Sequence, residues 1–228
     1  MTMLHKLIGK FAGPLLRKLP AGTRFPILSG PNRGLQWMIS AGLHSCWLGA
    51  YEPEMTHHIV SLAKPGMTVF DVGAHAGYFT MMLSRIVGKS GRVFAFEANP
   101  ENVAILRKHI RINQLRNINI IEAAVADRNG EVRFSGSGYE GQISDSGRRI
   151  PAVKLDDFPT PDLLKMDIEG AEILAFAGAT RILSELRTKM LVAVHEGEPI
   201  AKIPTILTSH TYKLEWINER ELIAIPAR

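Results

Sequence analysis

The chain has a single cysteine, Cys46, among its 228 residues. That excludes an internal disulfide framework and a cysteine-held metal cluster, and it fits a cytoplasmic protein. No stretch reaches the roughly 18 uninterrupted apolar residues of a membrane span. The first segment is broken by Lys6, Gly9, Lys10, Pro14, Arg17 and Lys18. It also lacks the apolar stretch and cleavage site of a signal peptide. Acidic residues are missing from the whole first fifth of the chain: none precedes Glu52, whereas Lys6, Lys10, Arg17, Lys18, Arg24 and Arg33 do. From Glu52 onward, 21 basic residues face 22 acidic ones, so the net charge of +5 belongs to an N-terminal arm. Leu4 to Phe11 reads as a short amphipathic helix. Such an arm suits a membrane surface, an acidic partner or nucleic acid, although a solvated extension is the simpler reading.

What the sequence does contain is enough for one α/β domain: 46% apolar and 21% charged residues. The reading divides it into an arm and lead-in, residues 1–52, and a main domain, residues 53–228. Gly30-Pro31-Asn32 marks a turn in the lead-in, and a helix over 53–64 ends at Pro65-Gly66. From Thr68 the pattern is rhythmic. Strands are expected at 68–71, 92–96, 118–123, 163–166 and 190–194. Helices are expected at 78–87, 100–113, 170–176, 179–186 and 200–208. Asn99 is placed to cap the helix that Pro100 opens. Residues 131–155 read as two short strands around the Gly/Ser stretch 135–138. Residues 212–217 and 221–225 read as a closing hairpin. The alternation predicts a doubly wound, mostly parallel seven-stranded sheet with an antiparallel edge.

A glycine is absent where a dinucleotide fold would need one. The stretch from Val69 to Thr80 runs from an apolar strand into a loop carrying Gly73 and Gly77, but His75 takes the middle position of G-x-G-x-x-G. That argues against a pyrophosphate ligand. The spacing D-x-G-x-x-x-G, from Asp71, resembles the first motif of class I methyltransferases and implies S-adenosylmethionine. Glu97 ends the second strand 26 residues after Asp71, where an acid accepts hydrogen bonds from ribose hydroxyls. Asp71, Gly73, Ala74, His75, Gly77, Glu97, Ala98, Ala124 and Asp167 are the candidate cofactor residues. Ala124 follows the third strand, where an adenine would rest.

The stretches 69–80, 96–103, 123–134, 155–157 and Lys165-Met166-Asp167-Ile168-Glu169-Gly170-Ala171-Glu172 together resemble the FkbM methyltransferase family, over residues 47–196. Trp47 to Glu52 is similar to the lead-in of many members. Ala98 and Ala193 depart from the pattern, where relatives often carry proline and an acid. The resemblance implies transfer of a methyl group to a hydroxyl of a sugar, polyketide or similar small metabolite. An RNA ribose methyltransferase and a non-catalytic binding or assembly protein are the alternatives. Nucleic acid is disfavoured, because Ile168-Glu169-Gly170 replaces the Pro-Pro-aromatic turn of base-modifying enzymes and the local acids repel phosphate.

An alcohol acceptor must be aligned and must lose a proton. Asp167 ends the fourth strand, which in this topology neighbours the first, and is expected to face the reacting methyl. His195, at the end of the fifth strand, has the pKa of a neutral-pH base. Asp167, His195 and Glu169 are the candidate catalytic residues. Glu172 divides evenly between a role in function and simple stabilisation at a helix N-terminus. No metal is expected, because the Asp-Asn pair of catechol-type enzymes is absent after the fifth strand.

Overall fold

Prolines and glycines set the element boundaries, and apolar periodicity sets the faces. The computed structural model describes residues 19–20, 22–136 and 141–227. The expected helix from Leu4 to Phe11, and residues 137 and 138 of the Gly/Ser stretch, lie outside them. The lead-in forms a hairpin of β1 (Arg24–Pro26) and β2 (Gln36–Met38), followed by α1 (His44–Leu48) and α2 (Pro53–Leu62).

The main sheet then builds in the expected alternation. β3 (Thr68–Val72) leads through the glycine loop into α3 (Tyr78–Val87), and β4 (Arg92–Phe96) leads into α4 (Pro100–Ile112). β5 (Ile118–Ile121) completes this half. The other half contains β10 (Leu163–Met166), α5 (Glu172–Ala177), α6 (Thr180–Ser184), β11 (Lys189–Ala193), α7 (Glu198–Ser209) and the hairpin β12 (Tyr212–Trp216) and β13 (Glu221–Pro226). The strand order is β12-β13-β11-β10-β3-β4-β5, with β13 antiparallel to both neighbours and the rest parallel. This is the expected seven-stranded, doubly wound sheet.

Strand residues alternate between two cores. Val69, Leu163 and Leu191 pack on one face with Met81, Met82 and Leu83 of α3, with Met55 of α2 and with Ile27, Trp37 and Trp47 of the lead-in. Phe70, Val72, Leu164, Met166, Met190 and Val192 pack on the other face with Phe176, Ile182, Ile203 and Leu207. Because both faces are covered, the central strands read as apolar runs rather than as alternating patterns.

Residues 124–153 hold the expected pair of strands, Gly130–Ser135 and Arg148–Val153, and two further short ones. β6 (Ala124–Val125), β7 (Gly130–Ser135), β8 (Gln142–Ile143) and β9 (Arg148–Val153) form a separate four-stranded sheet ordered β6-β9-β7-β8. β6 joins it by two parallel pairs at the end of the strand read as 118–123, so that strand stops at Ile121. Two-residue strands carry too little periodicity to be seen in sequence.

Candidate functional site

The carboxyl ends of β3, β4 and β10 meet around a cleft. Its geometry begins at Gly73. This residue has φ of +82°, and a Cβ there would lie 1.8 Å from the carbonyl oxygen of Asp167. Only glycine permits both the turn and that approach. The Gly73 and Ala74 amides both donate to the Phe96 carbonyl, at 3.0 and 2.9 Å, which ties the loop to the end of β4. His75 has φ of +48°, and its amide donates to Glu97 Oε2 at 2.7 Å. Glu97 Oε1 accepts from the Asn99 amide at 2.8 Å and from Asn102 Nδ2 at 3.2 Å. Burial raises the Glu97 pKa, and the amides of Asn99 and His75 oppose that rise. Burial also lowers the His75 pKa to about 4, so its ring is neutral at physiological pH.

Gly73, Ala74, His75, Glu97, Ala98, Ala124 and Asp167 all line the cleft. Two other sequence candidates do not. Asp71 is fully buried behind the loop, where its Oδ2 accepts from Thr80 Oγ1 at 2.5 Å and its Oδ1 lies 3.6 Å from Lys165 Nζ. Gly77 faces α4, where a Cβ would meet Leu106 at 2.4 Å. Both residues shape the loop from behind, because their side-chain positions point into the sheet–helix packing. The four-stranded sheet supplies an unforeseen wall, with Phe134, Gln142 and Ile143 facing Ala98 and Ala124.

Lys165 was quoted in the sequence only as part of a motif, and the structure puts its buried ammonium on the cleft wall. Residues 163, 165 and 167 share a sheet face, and Lys165 is in register with Asp71 across β3 and β10. Its Nζ donates to the Gly73 carbonyl at 3.2 Å, lies 3.9 Å from Asp167 Oδ2 and sits 5.3 Å over the Phe79 ring. Burial alone would lower its pKa. Asp71 and Asp167 outweigh burial and hold it above the usual lysine value, so the side chain stays charged.

At the rim, His195 follows β11 and is gripped from the neighbouring helix. Its Nδ1 lies 2.8 Å from Glu172 Oε1. A carboxylate can only accept, so Nδ1 keeps its proton and Nε2 is the nitrogen that gains or loses one as the ring titrates. Nε2 lies 3.2 Å from Glu169 Oε2 and 3.6 Å from Asp167 Oδ1. Glu172 is fully buried, and its Oε1 also accepts from the Gly170 amide at 3.2 Å. The Glu172 hydrogen bond is the main cause of a raised His195 pKa. The three candidate catalytic residues are thus brought together. Glu172, left undecided by the sequence, fixes the ring as a buried carboxylate does in a catalytic triad. Asp167, Glu169 and His195 also present ligand atoms within 4.8 Å of one another, a donor set able to hold a divalent cation.

The donors and walls suit S-adenosylmethionine. Glu97 would hold ribose hydroxyls, Ala98, Ala124, Phe134 and Ile143 would flank the adenine, and the carboxylates around Lys165 would favour a cation. A seven-stranded sheet with this antiparallel edge and this loop-and-acid arrangement at the strand ends defines a class I S-adenosylmethionine-dependent methyltransferase. Residues 71–214, more than half of the chain, match the sequence model of the methyltransferase FkbM domain, and the protein belongs to that family. It is 27% identical over 159 residues to 2-O-methyltransferase NoeI of Sinorhizobium fredii (strain NBRC 101917 / NGR234), a match covering 57% of this chain and 64% of NoeI. The chain therefore spans less than two thirds of that relative. Among solved structures it is similar in fold to methyltransferase FkbM from Methylobacillus flagellatus KT (TM-score 0.55, 19% identity, 79% of this chain and 53% of that one). It is also similar to precorrin-6y C5,15-methyltransferase from Geobacter metallireducens GS-15 (TM-score 0.52, 18% identity, 78% and 87%). No helix among the described residues is long and apolar enough to cross a membrane.

Proposed function

We propose that this protein is an O-methyltransferase acting on a hydroxyl of a sugar-like small metabolite, in the cytoplasm. The observation that carries the proposal is the His195–Glu172 pair at the mouth of the cleft. Bound S-adenosylmethionine supplies an electrophilic methyl group that needs no further activation. What an alcohol acceptor needs from the protein is alignment and a proton acceptor. His195 meets the second need, because Glu172 holds its proton-bearing nitrogen and leaves Nε2 facing the rim carboxylates. Asp167 and Glu169 accept hydrogen bonds from neighbouring hydroxyls of the acceptor and stabilise the imidazolium that forms. A polyhydroxylated ring offers such hydroxyls, and the name of NoeI, a 2-O-methyltransferase, agrees with transfer to an oxygen.

The test is production of S-adenosylhomocysteine from S-adenosylmethionine across a panel of mono- and oligosaccharides and other hydroxylated metabolites. Turnover with a carbohydrate hydroxyl that is lost in His195→Ala supports the proposal. Turnover confined to amine, thiol or carboxylate acceptors overturns it.

A further inference from the structure

The ribose, adenine and proton-acceptor assignments leave the ring of the acceptor without a seat. Among the described residues lining the cleft, Trp37, Tyr78, Phe79, Phe96 and Phe134 are buried aromatic side chains, and Tyr51 is the one that keeps part of its surface exposed. It stands at the reacting end. Its ring lies 5.7 Å from that of Phe79, the Phe79 ring lies 5.3 Å from Lys165 Nζ, and Lys165 Nζ lies 3.9 Å from Asp167 Oδ2. Glu97 and Ala98, which serve the ribose and adenine, follow β4, on the other side of β3 from Asp167.

The surroundings of Tyr51 hold its ring in place. Tyr78 meets it edge-on, with centroids 5.3 Å apart. The Tyr51 carbonyl accepts from Thr56 Oγ1 of α2 at 3.0 Å, and the Tyr51 hydroxyl donates to the Glu52 carboxylate. Glu52 has φ of +38°, a left-handed conformation uncommon outside glycine, and folds keep such strain mostly where a site needs it. Burial and the charges of Glu52 and Asp167 hold the hydroxyl above the usual tyrosine pKa, so it stays protonated. A held aromatic ring beside carboxylates has the makings of a carbohydrate seat. The ring covers the apolar C–H face of a pyranose, and the carboxylates accept from its hydroxyls.

Charge narrows the acceptor further. Lys165 is the one cationic side chain among the described residues lining the cleft, and Asp71 and Asp167 already share its charge. Glu97, Asp167 and Glu169 line the same cleft. His195, when protonated, is met by the carboxylates of Asp167, Glu169 and Glu172. A phosphate or carboxylate on the acceptor would face these acids with no unshared cation to receive it.

We infer that Tyr51 selects the acceptor: its ring stacks on the apolar face of an uncharged sugar ring whose hydroxyls reach Asp167, Glu169 and His195. The inference rests on the carbohydrate reading of the function and names within it a neutral saccharide, not a sugar phosphate or a uronic acid. It gives the segment before α2, which lies outside the stretch matched by the family's domain, a part in choosing the acceptor.

The test measures S-adenosylhomocysteine production with methyl glycosides of glucose, galactose and mannose and with the phosphate esters of the same sugars. Wild type is expected to favour the neutral glycosides by about tenfold or more in kcat/KM. For the best of them, Tyr51→Ala should raise KM by about tenfold or more and lower kcat by less than about threefold, because stacking holds the acceptor equally before and during transfer. Tyr51→Phe keeps the ring and should stay within about threefold of wild type in KM. Calorimetric titration with S-adenosylhomocysteine, expected to stay within about twofold in each variant, establishes that the fold and the cofactor site are intact. Should Tyr51→Ala not fold, Tyr51→Leu, which keeps apolar bulk without a flat ring, carries the comparison. A preference for the phosphate esters, an unchanged KM in Tyr51→Ala, or a loss in Tyr51→Phe as large as that in Tyr51→Ala overturns the inference. So does a parallel loss of S-adenosylhomocysteine affinity, which would assign the ring to the cofactor. Failure of the carbohydrate reading itself looks different: wild type then binds S-adenosylhomocysteine but turns over no saccharide of either kind.

Discussion

The histidine at the end of β11 shows how much one buried carboxylate decides. Without Glu172 the His195 ring could turn, and either nitrogen could carry the proton. His195→Ala is expected to lower turnover by about 10²–10⁴-fold while S-adenosylhomocysteine affinity stays within twofold by calorimetry. The pH dependence has a definite sign. The Glu172 hydrogen bond raises the His195 pKa above 6.5, and the base works only when neutral. Activity should therefore rise with pH through an acid limb lying above 6.5, and Glu172→Gln should move that limb to lower pH while lowering the plateau. A pH–rate profile of kcat/KM that is the same in both proteins would exclude His195 as the group it reports. Glu97 behaves as a second, separate titration. Burial raises its pKa above the usual carboxylate range, so cofactor affinity should begin to fall at mildly acidic pH, as protonation removes an acceptor for ribose hydroxyls. Glu97→Gln should bind more weakly and lose that pH dependence in the same titration.

Between residue and domain, caps and loops connect the elements that form the cleft. Asn99 caps α4 by accepting from the Glu101 amide at 3.0 Å, as its position before Pro100 predicts. The same oxygen accepts from Arg148 Nη2 at 2.8 Å, which ties β9 of the four-stranded sheet to the start of α4. Asn99→Ala should cost about 1 kcal/mol of stability in urea denaturation, with the cofactor wall at Phe134 loosened as well. The glycine loop is less tolerant. Gly73→Ala would place a Cβ against the Asp167 backbone at positive φ, so the loop and the end of β10 must separate. A variant that bound S-adenosylhomocysteine as tightly as wild type would contradict that geometry.

The lead-in and the sheet form a single core. Ile27, Trp37 and Trp47 pack in the same cluster as Val69, Met81 and Leu163, and β2 is hydrogen-bonded to His109 and to Asn113 of the α4 end. Removing residues 1–52 should therefore abolish cooperative thermal unfolding, because it strips one face of the sheet of its cover. A truncated chain with a sharp transition near that of the full chain would show that the two parts are independent.

The sequence by itself determined the order of strands and helices in the main sheet, the glycine loop and the acid at the end of β4. Each of these rests on local physics: apolar runs long enough to fill a strand, a proline or glycine at an end, an asparagine before a proline. Helix α3 spans Tyr78–Val87 and β10 spans Leu163–Met166, as read directly from those signals. The sequence also brought Asp167 and His195 to one rim, because doubly wound topology puts strand ends side by side. It could not separate the residues that face the cleft from those that stand behind it. Asp71 and Gly73 are two positions apart in one motif, yet only Gly73 reaches the cleft, since the chain turns between them. The two-residue strands β6 and β8 escaped notice, and with β8 the part of the wall made by Gln142 and Ile143. Only the tertiary structure could pair Glu172 with His195, 23 residues away, or set Trp37 against His109 and Tyr78. Such contacts join distant segments through packing, and no periodicity or motif within a segment encodes which distant side chain will meet it.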